Sequence, residues 1–134
     1  MGGPYRAADR PWRPKTLSRT VVLVEDDARQ AQDLRERCEA IGAEVLKVAH
    51  RPEEGLDAIL RYRPDYALID VNLGAQPDGV GIARRASARL PGTRFVFLSR
   101  SGEIEEPGPR LRPHVCLSKP VSTAWLRVAL GAED

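Results

Sequence analysis

Polar side chains that could do chemistry follow four separate apolar runs of this sequence. In chain order they are Glu25, Asp26, Asp27, Asp70, Ser99 and Lys119. Several carboxylates in one place repel one another unless a cation lies among them, and a ligand set made of oxygen atoms favours Mg²⁺. The set is therefore typical of a Mg²⁺ site that has one hydroxyl and one amine beside it.

Together these groups have the chemistry for phosphoryl transfer. A carboxylate of this set can attack phosphorus and carry an acyl phosphate. A divalent ion neutralises charge on the transferring oxygens, and the Lys119 ammonium provides a second positive contact. The Ser99 hydroxyl can donate a hydrogen bond to a phosphoryl oxygen once the group has arrived.

Each residue alone also has an ordinary structural interpretation. Asp27 could equally be the N-cap of a helix, and Asp70 could be a turn residue that ends a strand. Ser99 alone indicates almost nothing, and Lys119 before Pro120 would by itself fit a solvated loop. The joint occurrence, with the residues at the ends of different strands, favours the functional interpretation.

Short apolar segments alternate with amphipathic ones from Thr20 onward. Strands are predicted at 21–24, 45–48, 66–69, 95–98 and 115–117. Helices are predicted between 27 and 42, from 52 to 60, from 80 to 90 and from 123 to 130, where apolar residues recur at spacings of three and four. Alternating units of this kind predict an α/β fold, a doubly wound five-stranded parallel sheet with right-handed crossovers. In such a sheet ligands bind at the carboxyl ends of the strands.

One segment departs from this alternation. Between Ser99 and Val115 the sequence contains Pro107, Pro109 and Pro113, which leave room for at most one helical turn. We therefore expect the fourth crossover helix to be short or irregular.

Charge is unevenly distributed along the chain. The total of 21 Lys+Arg against 19 Asp+Glu is nearly neutral. However, residues 1–19 hold five basic residues and one acidic residue, so 20–134 is slightly acidic. Residues 1–18 contain glycines and prolines without apolar periodicity, and we predict a flexible basic tail before a single domain over 19–131. The simplest interpretation of that tail is a solvated extension, although its charge would also suit nucleic acid or an acidic partner.

Cysteine usage and hydropathy exclude several classes of protein. The two cysteines, Cys38 and Cys116, are far apart in the sequence and have no C-x-x-C spacing, which argues against a disulfide framework. Since the chain has only two histidines as well, a Cys/His zinc site is also not expected. No apolar run approaches the length of a membrane span, and the N-terminus lacks the apolar stretch of a signal peptide. We expect a cytoplasmic protein in a reducing compartment that does not act at a membrane.

Four segments together resemble the signature segments of the receiver domain of bacterial two-component response regulators, in particular the stand-alone, CheY-like kind. They read Val-Leu-Val-Glu25-Asp26-Asp27, Ala-Leu-Ile-Asp70-Val-Asn-Leu, Phe-Val-Phe-Leu-Ser99 and Leu-Ser-Lys119-Pro120. The resemblance covers about residues 19–131. It implies the flavodoxin-like arrangement of five strands.

The resemblance also implies a function and a ligand set. Asp70 matches the residue that accepts a phosphoryl group from a histidine kinase or phosphotransferase in a phosphorelay. Glu25 and Asp26 match the acidic pair that holds Mg²⁺, with Asp70 itself and the backbone carbonyl of Asn72 as further ligands. Such a domain catalyses only its own phosphorylation and dephosphorylation and is not otherwise an enzyme.

The resemblance assigns two further residues, and two positions depart from the family pattern. Ser99 matches the switch hydroxyl, and Lys119 matches the lysine that pairs with the phosphoryl group. Cys116 stands where the family usually has an aromatic switch residue. Arg100 follows the hydroxyl where a small residue is usual.

The leading prediction is a single-domain phosphoacceptor switch that acts through protein contacts. Its expected partners are a sensor histidine kinase or phosphotransferase and an output protein that the sequence does not identify. The chain ends about ten residues after Thr123, so we expect no DNA-binding domain, while the family's usual dimer surface leaves a homodimer open.

Two alternatives remain from the sequence. A degenerate receiver would dock a partner without phosphorylation, and Arg100 and Cys116 motivate that interpretation. A Mg²⁺-dependent phosphatase with Asp70 as nucleophile ranks lower, because the phosphatases it would resemble carry an Asp-x-Asp at their first strand.

Overall fold

Strands and helices alternate along most of the described chain. The computed structural model of the protein describes residues 19–71, 79–99 and 114–131. Its strands are β1 (Thr20–Val24), β2 (Glu44–Ala49), β3 (Tyr66–Asp70), β4 (Arg94–Ser99) and β5 (His114–Ser118). Its helices are α1 (Ala28–Ala40), α2 (Pro52–Tyr62), α3 (Gly79–Ser87) and α4 (Thr123–Ala129). The strands and helices predicted for these residues are all present.

The five strands form one parallel sheet in the order β2-β1-β3-β4-β5. The chain moves outward from β1 to β2 and then returns to place β3 on the other side of β1. The order therefore reverses between β1 and β3, which is the point where sheets of this kind bind ligands. The predicted doubly wound α/β fold is confirmed.

Each central strand sends alternate side chains into two separate apolar layers, because successive residues of a strand point to opposite faces. Val22 and Val24 of β1 pack in the layer that contains residues of α2 and α3. Val21 and Leu23 pack in the layer with α1 and α4. All four side chains are fully buried, which explains why this strand is apolar throughout rather than alternating.

Local signals in the sequence set the helix ends near the predicted site. Asp27 is the N-cap of α1, and Gly42, with a φ of 93°, follows the helix in the left-handed region that favours glycine. Gly79 begins α3 against the end of β3. A Cβ there would lie 2.5 Å from the carbonyl oxygen of Asp70, so the close approach of these two elements requires glycine.

Several predictions fall on parts of the chain outside the described residues. These are the flexible basic tail over 1–18, the backbone carbonyl of Asn72 as a metal ligand, and the short or irregular fourth crossover helix expected between Ser99 and Val115. Among the described residues, no helix combines the length and the apolar character needed to cross a membrane.

Candidate functional site

Three predicted acids meet at the edge of the sheet where the strand order reverses. Glu25 and Asp26 directly follow β1, and Asp70 is the last residue of β3, the neighbouring strand. One carboxylate oxygen from each of the three lies within 4.8 Å of the others. The parallel pairing of β1 and β3 thus brings Asp70 beside Glu25 and Asp26, although Asp70 lies 44 positions after Asp26 in the sequence. We call these three residues the acidic cluster.

The members of this cluster differ in burial. Glu25 and Asp70 are 2% and 4% exposed, whereas Asp26 faces solvent. Burial raises the pKa of Glu25 to about 7, and the nearby charge of Asp70 adds to the effect, although hydrogen bonds from Lys119 and Asp27 oppose it. Two buried carboxylates side by side are costly unless a positive group compensates them.

Lys119 provides that positive group. Its Nζ donates hydrogen bonds to Glu25 Oε1 at 3.0 Å, to Asp70 Oδ2 at 3.0 Å and to Gln30 Oε1 at 2.9 Å. An ammonium has three donors, so these acceptors satisfy all of them. Burial opposes the charge on Lys119, but the hydrogen bonds to Glu25 and Asp70 outweigh it and raise the pKa of the ammonium. The amine therefore stays protonated in the acidic cluster.

The backbone of Lys119 is also held in place. Its N–H donates to the carbonyl oxygen of Ser99 at 2.7 Å, which continues the pairing of β5 with β4 by one residue. The Lys119–Pro120 peptide bond is cis. Lys119 is thus bound at both its backbone and its side chain, unlike a residue of a solvated loop.

Ser99 is the last residue of β4 and is 3% exposed. Asp70 pairs with Leu98 in the register of β3 and β4, so Ser99 lies one residue beyond Asp70 on the adjacent strand. The sheet therefore brings the predicted hydroxyl to the same edge as the acids and the amine.

Asp27, by contrast, belongs to the helix and not to the acidic cluster. Its Oδ1 accepts a hydrogen bond from the backbone N–H of Gln30 at 2.9 Å, which caps α1. That hydrogen bond lowers the pKa of the Asp27 carboxyl. Of the two interpretations that the sequence left open for Asp27, the structure shows the cap.

Gln30 is a site residue that the sequence analysis missed. A signal was present, since Asp27 and Gln30 have the spacing of a capping box, in which the Gln side chain returns to the N-cap N–H. Here Glu25 Oε2 accepts from the Asp27 N–H instead, at 3.2 Å. The Gln30 amide oxygen is thus available to Lys119.

His50 also contacts the site without having been predicted. It follows β2, and its Nδ1 lies 3.0 Å from the backbone carbonyl oxygen of Glu25. Its backbone N–H donates to Glu54 Oε1 at 3.1 Å. The ring therefore contacts the main chain that carries Glu25 rather than the acidic cluster itself.

A groove of about 520 Å³ opens beside the site, between α1 and the connection from β5 to α4. Glu25, Gln30 and Lys119 lie along it, and Leu34 and Val121 give it apolar walls. Molecules that enter this groove come directly against the Lys119 side of the acidic cluster.

A solved structure decides the family of this chain. The signal receiver domain of a modulated diguanylate cyclase from Desulfovibrio desulfuricans is 32% identical to it, with a TM-score of 0.76, and the match covers 85% of this chain and 91% of that one. This chain belongs to the response regulator receiver family. No protein-family model matches its sequence, and no curated protein matches it.

Other solved structures share the fold of this receiver domain. A CheY-like response regulator receiver domain from Methylobacillus flagellatus is 23% identical with a TM-score of 0.72, over 85% of this chain and 97% of that one. The PhyR stress response regulator is 23% identical with a TM-score of 0.68, over 87% of this chain and 45% of that one. Both likenesses concern the fold alone.

The position that departs from the family pattern is accessible in this receiver domain. Cys116, which stands where an aromatic residue is usual, is an exposed thiol on β5. Arg100, the other departure, lies outside the described residues.

Proposed function

We propose that this receiver domain accepts a phosphoryl group on Asp70 from a sensor histidine kinase or phosphotransferase and thereby changes its contacts with other proteins. The observation that carries the proposal is the position of the Asp70 carboxylate. It is buried between two further carboxylates and a lysine ammonium 3.0 Å away. A nucleophile, an oxygen ligand set and a positive contact for phosphoryl oxygens are thus together at one place.

The acidic cluster fits Mg²⁺. Its ligands would be Glu25, Asp26, Asp70 and the backbone carbonyl of Asn72. Opposite ligands of an octahedral Mg²⁺ lie about 4.2 Å apart, so carboxylate oxygens within 4.8 Å of one another need only small movements to share one ion. A bound Mg²⁺ would neutralise charge on the phosphoryl oxygens during transfer.

Asp70, Lys119 and Ser99 have different roles in the proposed phosphoryl transfer. An Asp70 oxygen attacks phosphorus as the phosphorus–nitrogen bond of the donor histidine breaks, and the leaving imidazole nitrogen takes up a proton. Lys119 turns its ammonium toward the phosphoryl oxygens, because Asp70 loses its own negative charge when it forms the acyl phosphate and the phosphoryl group brings negative charge beside it. The Ser99 hydroxyl donates a hydrogen bond to one of those oxygens, which links the chemical state of Asp70 to the end of β4.

We place this function in a cytoplasmic domain that spans 19–131 and follows a basic tail over 1–18. The domain acts as a signalling switch whose only chemistry is its own phosphorylation and dephosphorylation. Its output protein is selected by surface contacts, and a homodimer is one form that these contacts can take.

Labelling with a small phosphodonor tests the proposal. Wild-type protein incubated with acetyl phosphate and Mg²⁺ is expected to gain one phosphoryl mass, which EDTA prevents. Asp70→Asn is expected to gain none, whereas Asp57→Asn, a change of an exposed acid on α2, is expected to behave as wild type. Equal labelling of wild type and Asp70→Asn, or no labelling of wild type, would overturn the assignment.

One observation favours a second candidate, a receiver that docks its partner without phosphorylation. Cys116 lacks the ring that the family uses at this position for coupling to the switch hydroxyl. Mg²⁺ titration followed by amide NMR separates the two candidates. Chemical shift changes at Glu25, Asp26 and Asp70 support the phosphoacceptor, and their absence supports the docking module.

A further inference from the structure

We propose that Gln30 is a positioning residue that holds the Lys119 ammonium at the site, an inference that rests on the proposed function. Gln30 lies in the first turn of α1, 89 residues from Lys119 in sequence, and its Oε1 accepts from Lys119 Nζ at 2.9 Å. Since an ammonium can only donate hydrogen bonds, the amide oxygen and not the amide nitrogen faces Lys119. The contact is as short as those that Lys119 makes to the two carboxylates.

Gln30 differs from Glu25 and Asp70, the other two acceptors of Lys119, because its interactions need not change during phosphorylation. Glu25 and Asp70 are the oxygen ligands of the proposed Mg²⁺, and Asp70 also carries the phosphoryl group. Both carboxylates therefore change their partners during the reaction. Gln30 is uncharged, has no part in either event, and can keep the ammonium beside the site throughout.

Hydrogen bonds at the start of α1 explain why the Gln30 side chain points toward Lys119. Asp27 Oδ1 accepts from the Gln30 backbone N–H at 2.9 Å, which anchors the residue at the N-terminus of α1. Glu25 Oε2 accepts from the Asp27 N–H, so the Gln30 amide does not have to return to the helix end. One capping arrangement thus orients Gln30 toward Lys119.

The same helix offers a matched control. Gln32 is an exposed glutamine two residues further along α1, and its Nε2 donates to Glu36 Oε2 at 3.0 Å. Gln30→Met and Gln32→Met both keep the length of the side chain and suit a helix. Only the first removes an acceptor from Lys119.

Two measurements test the role. The first is the rate of phosphorylation by acetyl phosphate, which is expected to fall about three- to tenfold in Gln30→Met, the scale of one charge-assisted hydrogen bond at an exposed position. Gln32→Met is expected to match wild type, and the urea midpoints of all three proteins are expected to agree. An unchanged rate in Gln30→Met would overturn the inference.

The second measurement is the NMR signal of the Lys119 ammonium protons, followed without phosphodonor. Wild type and Gln30→Glu keep an acceptor at position 30 and are expected to protect these protons from exchange, whereas Gln30→Met is expected to lose the protection. Equal protection in Gln30→Met and wild type would show that Gln30 does not hold Lys119. Because this readout needs no phosphorylation, failure of wild type to label would overturn the proposed function while the inference on Gln30 is still decided.

Discussion

The Lys119 ammonium reaches Asp70 across the end of an intervening strand. Lys119 follows β5 and Asp70 ends β3, and β4 lies between these two strands in the sheet. The backbone of Lys119 is bound to Ser99 at the end of β4, while its Nζ lies 3.0 Å from Asp70 Oδ2. The length of the lysine side chain is what allows one residue to contact both strands.

Lys119→Met removes the positive charge that compensates the two buried carboxylates. We expect the free energy of unfolding, measured by urea in EDTA, to fall by about 1–3 kcal/mol. Because the acids then lack their internal cation, Mg²⁺ is expected to stabilise the variant more than wild type. A variant as stable as wild type in EDTA, with the same response to Mg²⁺, would contradict this account of Lys119.

Stability without metal is expected to decrease as pH rises. The pKa of Glu25 is about 7 in the folded protein and about 4.5 in an unfolded chain, so the folded state binds the proton more tightly. The stabilisation is therefore fully present below pH 4.5 and is lost as pH rises through 7, by roughly 3 kcal/mol. Urea unfolding in EDTA measures it, and Glu25→Gln is expected to show a flatter profile. Parallel profiles for the two proteins would show that Glu25 does not titrate in this range.

The two thiols are expected to react at very different rates. Burial raises the pKa of Cys38 to about 12, whereas Cys116 is exposed on β5. Since the thiolate is the reactive form, a maleimide is expected to modify Cys116 in the folded protein and Cys38 only after unfolding. Intact-mass measurement over time, with Cys116→Ser as the control, checks the assignment. Rapid modification of the Cys116→Ser protein would contradict the burial of Cys38.

Gly79→Ala places a methyl group against the backbone of Asp70, the predicted phosphoacceptor. The added Cβ would lie 2.5 Å from the Asp70 carbonyl oxygen and 2.7 Å from Ile69 Cγ2, so the backbone must move. We expect a loss of about 1–3 kcal/mol in urea unfolding, together with weaker Mg²⁺ binding. Gly92→Ala is the control, because a Cβ there meets nothing within 4 Å. Similar stabilities of the two variants would argue against the close approach of α3 to β3.

The sequence predicted those parts of the site that follow from strand ends. Glu25, Asp26, Asp70 and Lys119 each follow or end an apolar run, and a parallel sheet brings such positions together whatever the details of the side chains. The alternation of strands and helices predicted the parallel sheet that carries these positions to one edge, whereas the order of the strands and the contacts of Lys119 come from the structure.

Other features depended on side-chain geometry that no local pattern contains. The sequence around Asp27 fits both a metal ligand and a helix N-cap. Only the position at which α1 begins shows that Asp27 is the N-cap. Gln30 has the local signature of a capping box, but its contact with Lys119 arises because Glu25 occupies the Asp27 N–H. The structure brings several of the predicted residues together, but the roles assigned to Glu25, Asp26, Asp70, Asn72, Ser99 and Lys119 stay predictions.

The hydrogen bond from the Lys119 N–H to the Ser99 carbonyl joins the last peptide of β4 to the first peptide beyond β5. Ser99 at the end of β4 and Lys119 after β5 both lie on the same side of Asp70, and this hydrogen bond ties their main chains together. A displacement of the Ser99 backbone shifts Lys119 with it, and through Lys119 the start of the connection to α4. The ends of three consecutive strands, β3, β4 and β5, are thus connected to one another through Asp70, Ser99 and Lys119.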